Sequence, residues 1–174
     1  MPQLNNFPTA KQADPNSCWA CAGREISNWY QSLNKSGTNP MYGTDQSFAD
    51  AWMHATDDPT HSKIDIQQSA AGALEDLEYR NNTDSSALPE AQEIADAINA
   101  NMPLLAIVGD APPNPNPNPD YQNGHWVVIV GISDDDATLK VFDPDDGLIH
   151  DVDYNDATYH LGSYWQNTSY VDPQ

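Results

Sequence analysis

The hydrophobic pattern of this chain changes period near residue 101, and that change restricts its possible folds more than any other feature. Before it, apolar residues recur at helical spacing. Cys18, Ala22, Ile26, Trp29 and Leu33 lie three or four apart, which predicts a core-packed helix from Cys18 to Leu33 with Asn16 and Ser17 as its caps. A second helix is expected over 45–56, with Phe48 and Trp52 on one face and the DDP at 57–59 ending it. Residues 66–78 are a weaker helix candidate, because Gly72 interrupts them. From Pro89 to Asn101 the signal strengthens: Ala91, Ile94, Ala95 and Ile98 share a face, and Asn101 suits the left-handed closing position.

After residue 101 the apolar residues come in short runs bounded by turn residues, which predicts buried strands. LLAIV at 104–108 and WVVIVGI at 126–132 are two of them, followed by ATLKVF at 137–142 and LIHDV at 148–152. SDDD at 133–136 and DPDDG at 143–147 are the connecting turns, so 126–152 is expected to form an antiparallel meander. A short helix around Tyr154 to Leu161 and a last strand near Tyr164 to Val171 complete the expectation. Helices first and strands later indicate α+β architecture rather than alternating βαβ units. The 174 residues fit one domain, with a helical part over about 1–101 and a β part over about 102–174.

A hydrophobic content of 39%, with five Trp and eight Tyr, is enough for a packed core and argues against disorder. Six Lys plus Arg stand against 26 Asp plus Glu, for a formal charge of -20. That field repels nucleic-acid phosphates and anionic membranes, so neither is an expected partner. The opening MPQLNNFPTA combines no cationic start with an apolar run. The expectation is therefore a soluble chain without a signal peptide, cytoplasmic or exported by a signal-independent route. Two cysteines three apart make no disulfide framework, and no further ligands at zinc spacing accompany them.

Those cysteines sit in QADPNSCWAC at 12–21. A thiol in the first turn of a helix lies near unpaired backbone N–H groups and the positive end of the helix dipole, both of which favour thiolate. Cys18 is so placed, whereas Cys21 lies one turn deeper and suits a buried apolar role. A thiolate nucleophile needs a partner that holds positive charge and later releases a proton. Of five histidines, His125 is the best placed, following Asn123-Gly124 at the mouth of an apolar strand. His54, His61, His150 and His160 read as surface or structurally satisfied residues. Asp143 ends the next strand, so antiparallel pairing would bring it to His125 as an orienting acceptor. Asp145 and Asp146 read as turn residues only, and DPDDG is too short for a calcium loop. An oxyanion formed during attack on a carbonyl needs fixed donors, which the Gln12 side chain and the Cys18 backbone N–H can provide.

A Gln, five residues, Cys-Trp-Ala at a helix start, then a late Gly-His on an apolar strand and an Asp on the next strand resemble the papain-like cysteine proteases. The compact bacterial members, including secreted effector proteases and bacteriocin leader peptidases, are most similar. CWAC, AINANMPLLAIVG, GHWVVIVGI, VFDP and GSYWQNTSYV all have counterparts there. The resemblance implies a papain-like fold, with the nucleophile at a helix N-terminus packed on an antiparallel sheet. It implies catalysis by Cys18, His125 and Asp143 with Gln12 in the oxyanion hole, and no cofactor or metal. It also implies a monomer acting on peptide or protein substrates, with a cognate inhibitor or immunity protein as a candidate partner. Asp143 stands where papain-type enzymes use Asn, as in bacterial branches.

Two other classes compete. CWAC is a C-x-x-C, the spacing of thiol-disulfide oxidoreductases, but those place a buried strand before the motif and here a polar loop precedes it. The other is a binding module that retains a protease scaffold without turnover. The proline-rich APPNPNPNPD at 111–120 is expected to be extended and solvated, either bordering the substrate cleft and affecting selectivity or forming a tolerated surface loop.

Overall fold

A computed structural model describes residues 2–35, 40–84, 88–109, 124–156, 158–159 and 163–173. Four helices form among them where the sequence periodicity is helical. α1 spans Cys18–Ser32 and α2 spans Asp45–Thr56, the latter opened by a reciprocal cap between Thr44 and Ser47. α2 ends at Asp57, which takes left-handed backbone at φ 54°. The weak candidate over 66–78 shortens to α3, Ala70–Asp76, because Ser69 caps it by accepting the Gly72 N–H at 3.0 Å. α4 covers Ala91–Asn99, and Asn101 then adopts φ 61° while Met102 N–H bonds Ala97 O at 2.9 Å, as a left-handed helix end requires.

Seven strands among the described residues make one antiparallel sheet: β1 (Tyr79–Asp84), β2 (Leu104–Gly109), β3 (His125–Ile132), β4 (Thr138–Asp143), β5 (Leu148–Asp153), β6 (Thr158–Tyr159) and β7 (Ser163–Pro173). Six follow the order β1-β7-β2-β3-β4-β5, and β6 pairs with β7. The meander over β3, β4 and β5 forms as expected. The helix expected at 154–161 does not: its described residues are a turn at 154–155 and the two-residue β6. β1 was not expected, because YRNNTD carries none of the alternation that marks a half-buried strand. It exists as an edge strand through its ladder to β7, from Tyr79 opposite Pro173 to Asp84 opposite Thr168.

α1 lies under the other elements, packing against α2, α3 and β3, while α4 also packs against β3. One continuous hydrophobic cluster joins Ile26 and Trp29 of α1, Phe48 of α2, Ile94 of α4 and Val127 and Phe142 of the sheet. Full burial of each such side chain stabilises the fold by roughly 1.5–3 kcal/mol. Residues 2–4 extend the sheet beside β3, with Leu4 N–H on Val130 O at 2.8 Å and Ile132 N–H on Pro2 O at 2.9 Å. The result is a central helix whose first turn faces the edge of the sheet where β3 begins and β4 ends. Among the described residues, no helix is long and apolar enough to cross a membrane.

Candidate active site

Three elements meet at this edge. α1 supplies Cys18 as its first residue, and an α-helix has no internal acceptor for its first N–H groups, so the Cys18 N–H is available to a ligand. β3 supplies His125 as its first residue and β4 supplies Asp143 as its last. Their side chains meet: His125 Nε2 lies 2.6 Å from Asp143 Oδ1. With Nε2 engaged by Asp143, Nδ1 is the ring nitrogen left for Cys18, whose interaction with the imidazole favours its protonated form. Gly124 allows the approach to His125, since a Cβ there would lie 2.4 Å from Ile107 Cγ1.

Burial disfavours the imidazolium form of His125, yet the hydrogen bonds to Asp143 and Cys18 and the charges of both outweigh it. The imidazole is pushed up from 6.5 to about 10. Cys18 is only 2% exposed, while the His125 side chain keeps 30% of its surface in solvent, so the pair is open on the imidazole side. Cys21 has a different setting. It is fully buried and its thiol lies 3.1 Å from Ala10 O, where burial, and then the charge of Asp45, push its pKa far above that of an ordinary thiol.

Gln12 reaches the group through the turn that follows Asp143. Its backbone N–H bonds Pro144 O at 2.8 Å, and its side-chain Nε2 faces Pro15 O at 3.2 Å and Asp145 Oδ1 at 3.4 Å. Both neighbours are acceptors, so the nitrogen must face them. Its Oε1 is buried with no hydrogen-bond partner among the described residues. Asp145, expected to be a turn residue only, therefore touches Gln12, and its own N–H donates to Asp143 Oδ1 at 2.9 Å. Asp146 remains a turn residue, accepting from Leu148 N–H and contacting His150 Nε2 at 2.8 Å. Gly147 closes the turn at φ 77°, pressed so near the chain that a Cβ would lie 2.6 Å from Lys11 N.

The remaining histidines lie elsewhere. His61 stacks on Trp52 at 3.6 Å between ring centres and bonds Thr56, and His54 sits in α2. His160 and the 111–120 insert lie outside the described residues. The expected side-chain cap of α1 is absent: Ser17 occupies the cap position but its hydroxyl turns inward, to Asp14 O at 3.0 Å and Asp45 Oδ2 at 2.9 Å.

Two features escaped the sequence reading. Asp45, read only as the start of α2, is wholly buried against the loop before Cys18. The segment 65–68 is tied to the site's neighbours: Asn16 Nδ2, Trp19 Nε1 and Trp126 Nε1 donate to the carbonyls of Asp65, Ile66 and Gln68 at 2.9, 3.0 and 3.0 Å. Trp19 and Trp126 directly follow Cys18 and His125, but no local pattern announces that both indoles reach one segment.

A helix-borne thiol facing an imidazole on an antiparallel sheet defines a papain-like cysteine protease type. The model of the Peptidase_C39 like family matches residues 4–173, nearly the whole chain, and the chain belongs to that family. No curated protein matches it.

Proposed function

We propose that the chain cleaves peptide bonds, with Cys18 as nucleophile, His125 as base and acid, Asp143 orienting the imidazole, and the Cys18 N–H and Gln12 as oxyanion donors, Gln12 Nε2 exchanging its long 3.4 Å contact to Asp145 Oδ1 for the oxyanion. The observation that carries this reading is the His125 imidazole held by Asp143 at 2.6 Å, with Cys18 at the first turn of α1 favouring its protonated form. Cys18 Sγ attacks the scissile carbonyl carbon and its oxygen takes up negative charge. As the C–N bond breaks, the proton on His125 Nδ1 passes to the departing amine. Water then attacks the thioester, giving its proton to His125, and the thiolate leaves as the carboxylic acid departs. Asp143 holds the ring so that Nδ1 faces sulfur throughout.

The setting of Cys21 favours this reading over disulfide exchange, because a buried thiol held far from ionisation is a poor resolving group. The expected substrate is a peptide or protein chain acted on by a monomer. Digestion of a peptide library with a mass-spectrometric readout identifies the cleaved bonds and also reveals transfer to an amine in place of water. Cys18→Ala is expected to remove turnover by a factor on the order of 10⁴ or more, whereas Cys21→Ser retains most of it. Equal loss in the two variants would favour redox chemistry, and undiminished cleavage by Cys18→Ala would exclude a thiol mechanism. Failure of a papain-type epoxide to label Cys18 would favour a scaffold without turnover.

A further inference from the structure

We propose that Asp45 is a positioning residue that sets the separation of the two oxyanion donors, an inference that rests on the roles proposed above for Gln12 and Cys18. One oxygen of its carboxylate, Oδ2, accepts the Ala13 N–H at 2.7 Å and the Ser17 hydroxyl at 2.9 Å. Ala13 follows Gln12 and Ser17 precedes Cys18. A single buried atom thus draws together the two ends of the five-residue interval that separates the donors. The loop is cross-braced within this span, since Ser17 N–H also bonds Asp14 O at 2.9 Å and Asp14 N–H bonds Ser17 Oγ at 3.1 Å.

The arrangement is costly to maintain. Asp45 is 0% exposed, and burying a carboxylate in an apolar interior is unfavourable without a counter-charge and hydrogen bonds. The counter-charge is Arg24, whose Nη1 lies 3.0 Å from Asp45 Oδ1 while its Nη2 lies 2.6 Å from Glu25 Oε1. The chain has six Lys plus Arg against 26 Asp plus Glu, yet it buries one of the six here, 5% exposed. Tying α2 to α1 could be done by apolar packing, as Phe48 already does against Trp19. A buried acceptor is needed only where backbone and hydroxyl donors must be held at a fixed place, and both donors held here belong to the loop.

The geometry separates two consequences of losing Asp45. Alkylation of Cys18 by iodoacetamide displaces iodide from carbon and forms no oxyanion, so it reads the thiolate and its imidazole alone. Peptide turnover and binding of a peptide aldehyde, which adds the thiol to a carbonyl, both need the donors in place. In Asp45→Ala and Ser17→Ala, kcat on a fluorogenic peptide amide taken from the library is expected to fall about 10- to 100-fold, with KM within about threefold. Aldehyde affinity should fall in parallel, and the alkylation rate should stay at the parent value. Ser17→Ala keeps the Asp45–Arg24 pair, so it reports even where Asp45→Ala does not fold, and Asp45→Asn, which retains one acceptor oxygen, should recover part of kcat.

Gln12→Ala is measured beside them. If it loses kcat while the Asp45 and Ser17 variants do not, Asp45 only joins two helices and the inference is overturned. It is overturned equally if alkylation slows as much as turnover, since Cys18 itself would then have moved. If Gln12→Ala turns over as the parent does, Gln12 is no oxyanion donor, and the reading on which the inference rests falls first.

Discussion

The surroundings of His125 act on its proton in opposite directions: burial disfavours it, and Asp143 and Cys18 hold it. Because its pKa is raised from 6.5 to about 10, the imidazolium persists well above the pH at which an ordinary histidine is neutral. The alkaline limb of kcat/KM, which reports loss of that proton, is therefore expected far above 6.5 and towards 10. Asp143→Ala removes one hydrogen bond and one negative charge that favour the proton, so the limb should move to lower pH while kcat falls. A limb that stays in place would show that Asp143 does not govern the imidazole. Stability follows the same sign. A group whose pKa is raised on folding contributes fully below its unfolded value, here near 6.5, and its contribution is lost as pH rises through the folded value, near 10. The parent should lose more stability than Asp143→Ala across that window, as chemical denaturation at each pH would measure.

Helices α1 and α2 approach so closely at Gly23 that a Cβ there would sit 2.6 Å from Phe48 Cζ and 2.7 Å from its Cε1. Phe48 is wholly buried with Tyr42 and Trp19 rings against it, which leaves it little room to turn aside. Gly23→Ala is thus expected to destabilise the protein by about 1–3 kcal/mol despite the better helix propensity of alanine. Urea unfolding measures it, and an unchanged or raised midpoint would mean that Phe48 shifts freely. This contact also illustrates what the sequence could convey about the fold. The faces of α1, α2 and α4 and the runs of β2 to β5 were readable because periodicity is local and tertiary packing did not override it. The six-residue β1 was not, because a polar edge strand is specified by its partner β7, some ninety residues away, and by nothing in YRNNTD. β6 replaced an expected helix for the same reason, since Thr158 and Tyr159 are ordered by pairing with Tyr164 and Ser163. The site was readable in part: Cys18, His125 and Asp143 stand at element boundaries that patterning reveals. Asp45 was not, because a carboxylate in the first turn of a helix is ordinary in sequence and its burial depends on a loop thirty residues earlier.

Among the described residues, charge is divided between a small buried set of both signs and a crowded acidic surface. Arg24, Glu25 and Asp45 form a shielded set in the interior, at 5%, 3% and 0% exposure. Outside, Asp134, Asp135 and Asp136 share one turn, and Asp145 and Asp146 another, with Lys140 paired to Asp151 as a local offset. At a formal charge of -20 the compact state suffers more self-repulsion than the expanded one, because folding brings the carboxylates closer. Dissolved salt screens interactions between exposed charges beyond a Debye length of about 10 Å at 0.1 M and about 3 Å at 1 M, while buried pairs are screened far less. The two populations therefore respond to different extents: repulsion on the surface should fade with salt, and attraction inside should remain. The midpoint of thermal unfolding is expected to rise steeply as sodium chloride increases from about 0.01 M and to level off as the screening length falls below the spacing of neighbouring carboxylates. Sucrose at matched osmolality tests whether exclusion from the surface explains the rise, since it strengthens burial without screening charge. A midpoint that falls with salt would place the dominant electrostatic term in surface ion pairs, which six basic residues among 174 are too few to supply.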